Sequence, residues 1–224
     1  MTAKKRTHIS EAEAGRAIYI DFEGTAVDPP SFLGAAWVDG DDCFFIQFVI
    51  EETLWPAARA KAAMSDRIVE PATWDSLSQL KTLAESENRM LIAFTEHESK
   101  TLHEYVSGAA GAWFGSNVVN ALPIAKAWKR RTFPDVVFEK DPKKPWKGKH
   151  QLDRYFKLIK YDVPTAFGPD NSAQRIRAVR DMLARKNGDY TALTATVKGK
   201  WTKALQHNWH DCNGLRELMR NCVS

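Results

Sequence analysis

The chain has 224 residues and a formal net charge of +4, with 44% hydrophobic and 27% charged residues. These values are those of a globular protein with one well-formed core, and no apolar run approaches the ~18–20 residues that span a membrane. The three cysteines lack metal-site spacing, and no apolar stretch of the secretory kind follows the basic N-terminus. We therefore predict a reduced, cytoplasmic protein without a membrane partner.

The positive charge is concentrated in one part of the chain. Residues 121–203 contain 20 Lys or Arg and 8 Asp or Glu, a net of +12, which leaves a net of −8 for the remainder. An acidic body with a basic flank suits a protein that binds cations at one place and a polyanion beside it. A merely solvated basic surface is the alternative explanation.

The first elements in chain order are a tail and three strands. Residues 1–15 are polar and predict a flexible tail, and residues 16–224 predict a single domain. Ala17–Gly24 predicts a buried strand because β-branched and aromatic residues are concentrated there. Residues 32–38 and 43–50 predict two further strands, and the Asp39-Gly40 pair between them indicates a hairpin.

The rest of the chain predicts a sheet covered by helices. Residues 54–88 have a helical pattern, with Pro56 and Pro71 at early helical positions. Further strands are predicted at 89–94 and 117–121, each followed by a helix, then a loop over 129–150 and helices over 151–159, 171–186 and 200–221. This order predicts an α/β fold with a mixed sheet.

Acidic residues occur where such a sheet could bring them together. Asp21 and Glu23 lie two residues apart, so both face the same side of the first strand near its end. Glu98 begins the helix after the fourth strand, and His207 and Asp211 share the inward stripe of the last helix. Carboxylate oxygens are the ligands that Mg²⁺ prefers, although ordinary solvated acids are the alternative for each residue alone.

Three stretches carry a resemblance to a known family. Ile20-Asp21-Phe22-Glu23-Gly24, Leu91 to Leu102 with Glu98, and His207-Asn208-Trp209-His210-Asp211 resemble the three motifs of the DEDD (DnaQ-like) exonucleases of the ribonuclease H-like superfamily. The last stretch is similar to that of predicted nucleases with Tyr-Asn-x-x-Asp, with His207 in place of Tyr. The resemblance implies a ribonuclease H-like fold with a mixed five-stranded sheet, three antiparallel strands followed by parallel ones.

The resemblance also implies an activity, namely metal-dependent 3′→5′ exonuclease action on DNA or RNA by two Mg²⁺ or Mn²⁺ ions. The metal ligands would be Asp21, Glu23, Glu98 and Asp211, and His207 would position or deprotonate the attacking water. An inactive nucleic-acid-binding or assembly subunit and a structure-specific endonuclease are the alternatives. The basic residues expected to bind a single-stranded end are Lys143, Lys144, Lys147, Lys149, Arg175, Arg177 and Arg180.

Overall fold

The computed structural model describes residues 6–25, 29–64, 67–140, 142, 148–167 and 171–223. These residues form strands β1 (Ile18–Glu23), β2 (Phe32–Asp39), β3 (Asp42–Val49), β4 (Ala63–Met64), β5 (Arg67–Pro71), β6 (Leu91–Ala93) and β7 (Val118–Asn120). They also form helices α1 (Glu11–Arg16), α2 (Trp55–Arg59), α3 (Ser78–Ser86), α4 (His97–Tyr105), α5 (Gly108–Asn117), α6 (Ala121–Thr132), α7 (Leu152–Leu158), α8 (Ser172–Arg185) and α9 (Ala195–Val223).

The strands form one mixed sheet in the order β4-β5-β3-β2-β1-β6-β7. The first three strands pair antiparallel, and β6 and β7 continue the sheet parallel to β1. The predicted hairpin is confirmed, because Asp39 pairs with Asp42 and Gly40 has the positive φ of 58° that such a tight turn favours. The predicted α/β class is therefore confirmed, and so is the change from antiparallel to parallel pairing.

The predicted number of five strands is wrong, because the described residues contribute seven. β5 pairs parallel with β3, and the two-residue β4 pairs with the start of β5. Pro71 was predicted to begin a helix, but it ends β5. Proline is tolerated there because β4 pairs only with Arg67 and Ile68, so that the outer side of β5 is unpaired at Pro71 within the described part of the sheet.

The predicted tail is wrong from Ile9 onward. Ile9 and Ala14 are 1% exposed and belong to the same hydrophobic cluster as residues of α9. Ser10 caps α1 through a capping box, in which its hydroxyl accepts from the Glu13 N–H and the Glu13 carboxylate accepts from the Ser10 N–H. The N-terminal segment is thus part of the domain from about this point.

Helices cover both faces of the sheet. On one face, helices α3, α4 and α5 enclose a cluster that includes Ile18 and Ile20 of β1. On the other face, α9 extends from Trp201, which packs against Phe32, to Leu215, which shares a cluster with Tyr19. The face of β1 that carries Tyr19 and Asp21 therefore lies beneath α9. None of the described helices is both long enough and apolar enough to cross a membrane.

Candidate metal centre

The carboxyl ends of β1 and β6 lie side by side and bring three of the predicted acids to one edge of the sheet. Ile20 of β1 pairs in parallel with Ala93 of β6, so that the chain after each strand continues in the same direction. Asp21 and Glu23 follow on β1, and Glu98 lies in the first turn of α4, just after β6. The strand alternation that predicted a shared face for the β1 acids is consistent with this arrangement.

Helix α9 adds the remaining two residues. His207 and Asp211 lie one helical turn apart, and their side chains meet, with 3.6 Å between His207 Nε2 and Asp211 Oδ2. The same nitrogen lies 3.5 Å from Glu23 Oε1. One ligand atom from each of Glu23, His207 and Asp211 lies within 4.8 Å of the other two, so these three residues could hold a metal ion.

Asp21 and Glu98 lie next to this group. The pKa of Asp21 is raised well above its usual value, first by burial and then by the three nearby carboxylates of Asp211, Glu23 and Glu98. Burial also raises the pKa of Glu98, which is 6% exposed and accepts a 3.1 Å hydrogen bond from the Thr95 hydroxyl. Asp21 is therefore close enough to interact with each of the other three predicted acids.

The acids of the Glu23–His207–Asp211 group are also perturbed. Burial raises the pKa of Glu23 to about 7 and that of Asp211 to about 6, and in both cases the neighbouring His207 partly opposes the shift. Clustered carboxylates are costly without a cation because each disfavours the ionised form of the others. Four carboxylates and an imidazole fit Mg²⁺ or Mn²⁺, which bind oxygen and imidazole ligands. The donor set thus suits the divalent cations implied by the resemblance.

This perturbation predicts an unusual dependence of stability on pH for the metal-free chain. With a folded-state pKa near 7 and an ordinary value of 4.5, Glu23 retains its proton in the folded state over a range where the unfolded chain has lost it. Stability should therefore fall as pH rises from about 4.5 to 7, by on the order of 3 kcal/mol for this group. Urea unfolding of the wild type and of Glu23→Gln at pH 5 and 7.5 measures the effect, which should be smaller in the variant.

Sequence reasoning missed the residues that fix Asp21. Asn208, which is fully buried on α9, donates 2.9 Å and 3.0 Å hydrogen bonds from Nδ2 to the carbonyl and carboxylate oxygens of Asp21. Gln47 of β3 donates in turn to Asn208 Oδ1 over 2.9 Å. Asp21, Gly34 and Gln47 occupy paired positions on β1, β2 and β3, so that the Asn208 side chain lies across three strands. In the sequence, the only indication of this role was that Asn208 lies three residues before Asp211.

Gly34 is required for this arrangement because a Cβ atom there would lie 2.1 Å from Asn208 Oδ1. We expect Gly34→Ala to displace the Asn208 amide and to lower the free energy of unfolding by about 1–3 kcal/mol. Gly199→Ala on α9 is the matched control, since no atom lies within 4 Å of its added Cβ. The control should be neutral or stabilising by up to about 1 kcal/mol. Equal effects of the two substitutions in urea unfolding would contradict a tight contact at Gly34.

His210, the residue before Asp211, faces a different environment from His207. Its ring stacks on Phe167 with centroids 5.6 Å apart, and its Nδ1 lies 3.4 Å from the Tyr161 hydroxyl. It is 9% exposed, and burial lowers its pKa. These contacts are those of a packing residue.

The basic residues predicted to bind nucleic acid differ in their burial and in their partners. Lys143, Lys144 and Lys147 lie outside the described residues, whereas Lys149 is exposed. On α8, Arg177 is exposed, and Arg180 binds Glu51, with 2.5 Å between Arg180 Nε and Glu51 Oε1. Arg175 is half-buried and, of the three arginines, is the one whose charge lowers the pKa of Glu23. The interpretation of α8 as a continuous basic track is therefore not supported at Arg180.

Comparisons of the chain with protein-family models, with curated proteins and with solved structures give no match.

Proposed function

We propose that the chain is a metal-dependent nuclease that hydrolyses phosphodiester bonds in DNA or RNA. The observation that carries the proposal is the meeting of Asp21, Glu23, Glu98 and Asp211 at the carboxyl ends of β1 and β6, with His207 between two of them. The arrangement of β1, β2, β3, β6 and β7 supports it, because three antiparallel strands followed by parallel ones are what the resemblance to DEDD exonucleases implies.

The residues of the site would perform distinct tasks in this reaction. Asp21, Glu23, Glu98 and Asp211 would hold two divalent cations, which when bound neutralise charge on the phosphate and lower the pKa of water. Asn208 fixes the Asp21 carboxylate through its Nδ2 hydrogen bond, so that this ligand is held in one orientation before substrate arrives. His207 Nε2 faces the carboxylates and would orient the attacking water or accept its proton.

The direction of attack is the part of the proposal that rests on the resemblance alone. We propose 3′→5′ exonuclease action with release of nucleoside monophosphates from a single-stranded end. The single exposed lysine described in the 143–149 stretch, Lys149, and the exposed Arg177 are candidates for contacts with the strand backbone. Such contacts would add affinity that falls with salt and would carry no base preference.

The proposal is tested with oligonucleotides of DNA and RNA, single and double stranded, labelled at the 5′ end. With Mn²⁺ we expect a ladder of shortened products that is absent with EDTA and absent for Asp211→Asn. Cuts confined to internal positions would contradict the exonuclease direction. Binding of the labelled strand without any cleavage in Mg²⁺ or Mn²⁺ would contradict the proposed activity and would favour a binding subunit.

A further inference from the structure

The N-terminal half of α8 lies against the end of β1 that carries Glu23, because Ile176 shares a hydrophobic cluster with Phe32, the β2 residue that pairs with Glu23. Ser172, the first residue of this helix, is 8% exposed, and its hydroxyl is close enough to the Glu23 carboxylate to lower its pKa. Arg175, one turn further along, acts on Glu23 in the same direction through its charge. The helix therefore presents a hydroxyl and a guanidinium group to the edge of the carboxylate cluster.

Arg175 has a donor that no described residue satisfies, whereas the Ser172 hydroxyl has the Glu23 carboxylate beside it. Arg175 Nη2 donates to the Ala166 carbonyl over 2.9 Å, whereas Nη1 is buried and makes no hydrogen bond to any described residue. Ser172 Oγ is also buried without a partner of standard hydrogen-bond geometry among the described residues. A buried donor without an acceptor is destabilising, and more so when it is charged, so its presence calls for an explanation.

The helix itself adds donors of the same kind. The first N–H groups of any α-helix have no partner within the helix, and its dipole places a partial positive charge at that end. In α8 the Arg175 N–H already donates to the Asn171 carbonyl, so the N–H groups without a partner within the helix precede it. Asn171 makes no side-chain cap, and α8 has 14 residues, which is long enough for this effect.

Arg175 differs from the other two arginines on α8. Arg180 binds the Glu51 carboxylate through Nε and through a 2.8 Å hydrogen bond from Nη2, and Ser31 donates to the same carboxylate. Arg177 is exposed on the surface of the helix. Arg175 alone of the three combines a buried Nη1, which has no acceptor among the described residues, with proximity to Glu23. A ligand bound by Arg175 Nη1 would therefore lie near the Glu23 carboxylate.

We propose that Ser172, Arg175 and the first-turn N–H groups of α8 bind a phosphate group of the nucleic acid strand beside Glu23. This assignment deepens the proposed function and rests on it for the identity of the strand. A phosphate offers several oxygens to a hydroxyl, a guanidinium group and backbone N–H groups at once, as anion sites at helix N-termini do. Because Glu23 and Asp211 repel an anion, binding should be tighter when divalent cations occupy the carboxylate cluster.

Isothermal titration calorimetry of the full chain with AMP in the presence of Mg²⁺ tests the site. We expect Arg175→Gln to weaken AMP binding by roughly 10–100-fold, and Ser172→Ala to weaken it by about 3–10-fold. Arg185→Gln is the matched control, because it removes the same charge from the exposed C-terminal end of the same helix, and it should change the affinity less than about twofold. Adenosine, which lacks the phosphate, should bind equally to the wild type and to Arg175→Gln.

Equal AMP affinities of Arg175→Gln and Arg185→Gln would overturn the site. If Arg175→Gln fails to fold, the AMP affinity of Ser172→Ala tests the site instead. This variant removes one buried hydroxyl and leaves the charge of Arg175 in place. The same variants titrated without cations test the phosphate site even if the carboxylate cluster binds no metal. If the chain binds Mg²⁺ but the variants have equal AMP affinities, then the phosphate site is wrong while the metal centre stands.

Discussion

Metal-dependent cleavage is expected to fall by roughly 10³-fold or more in each of four single variants, Asp21→Asn, Glu23→Gln, Glu98→Gln and Asp211→Asn. Each substitution removes a charged oxygen ligand while keeping nearly the same shape, and metal stabilisation of the transition state is worth several kcal/mol. The residues act as one unit, so the double variant of Glu23 and Asp211 should be little worse than either single variant. The measurement is kcat/KM for an end-labelled oligonucleotide at saturating Mn²⁺.

Glu96→Gln is the matched control for these four variants. Glu96 precedes Glu98 by two residues but is exposed, with its carboxylate 3.2 Å from Lys100 Nζ. Its substitution should leave cleavage within about twofold, because exposed ion pairs contribute little. The four site variants should also unfold at higher temperature than the metal-free wild type, since each relieves repulsion within the cluster. A site variant that retains wild-type cleavage would remove that residue from the set of ligands.

His207→Ala is expected to lower kcat/KM by about 10²–10⁴-fold and to flatten its rise with pH. His207 Nε2 lies between the Glu23 and Asp211 carboxylates, where it can hold a water or accept its proton. In the wild type the rate should rise with pH and then level, because only a neutral imidazole can accept the proton of the water. Rates between pH 5.5 and 9 at saturating Mn²⁺ measure this.

His210→Ala provides the contrast, because this ring packs among Tyr161, Phe167 and Trp209. Its removal should destabilise the fold but keep kcat/KM within about threefold, with the same pH profile. His207→Tyr should retain partial activity with a flatter profile, since tyrosine stays protonated near neutrality. A large loss of Mn²⁺ affinity in His207→Ala, without a change in the pH profile, would make His207 a metal ligand and contradict the proton role.

The alternation of residues along β1 and the helical stripe of α9 predicted the faces that carry the acids. Asp21 and Glu23 were predicted to share one side of a strand, and His207 and Asp211 one side of a helix. These periodicities are local, and each needs only a few neighbouring residues to be recognised. The capping box at Ser10 and Glu13 was also present in the sequence, and it could have identified α1.

The support around the site could not be predicted in the same way. Asn208 meets Asp21, Gly34 and Gln47 only because three strands pair in one particular register, and no local pattern encodes that register. The position of Arg175 near Glu23 likewise depends on how α8 packs, while its charge alone suggested a role no different from that of Arg177. Strand β5 was missed because it has only two aliphatic residues, Ile68 and Val69, before Pro71, too few to give a periodicity that separates a strand from the start of a helix.

The central claim is that the carboxylate cluster binds divalent cations, and calorimetric titration with Mn²⁺ tests it most directly. Because Glu23 has a pKa of about 7 and Asp211 of about 6, binding at pH 6.5 must displace protons, about one per chain from these two groups. Titration in two buffers of different ionisation enthalpy measures that number. We predict release of at least about one proton at pH 6.5, less at pH 8, and loss of binding in Asp211→Asn. Binding without proton release, or equal binding by wild type and Asp211→Asn, would contradict a metal centre at these residues.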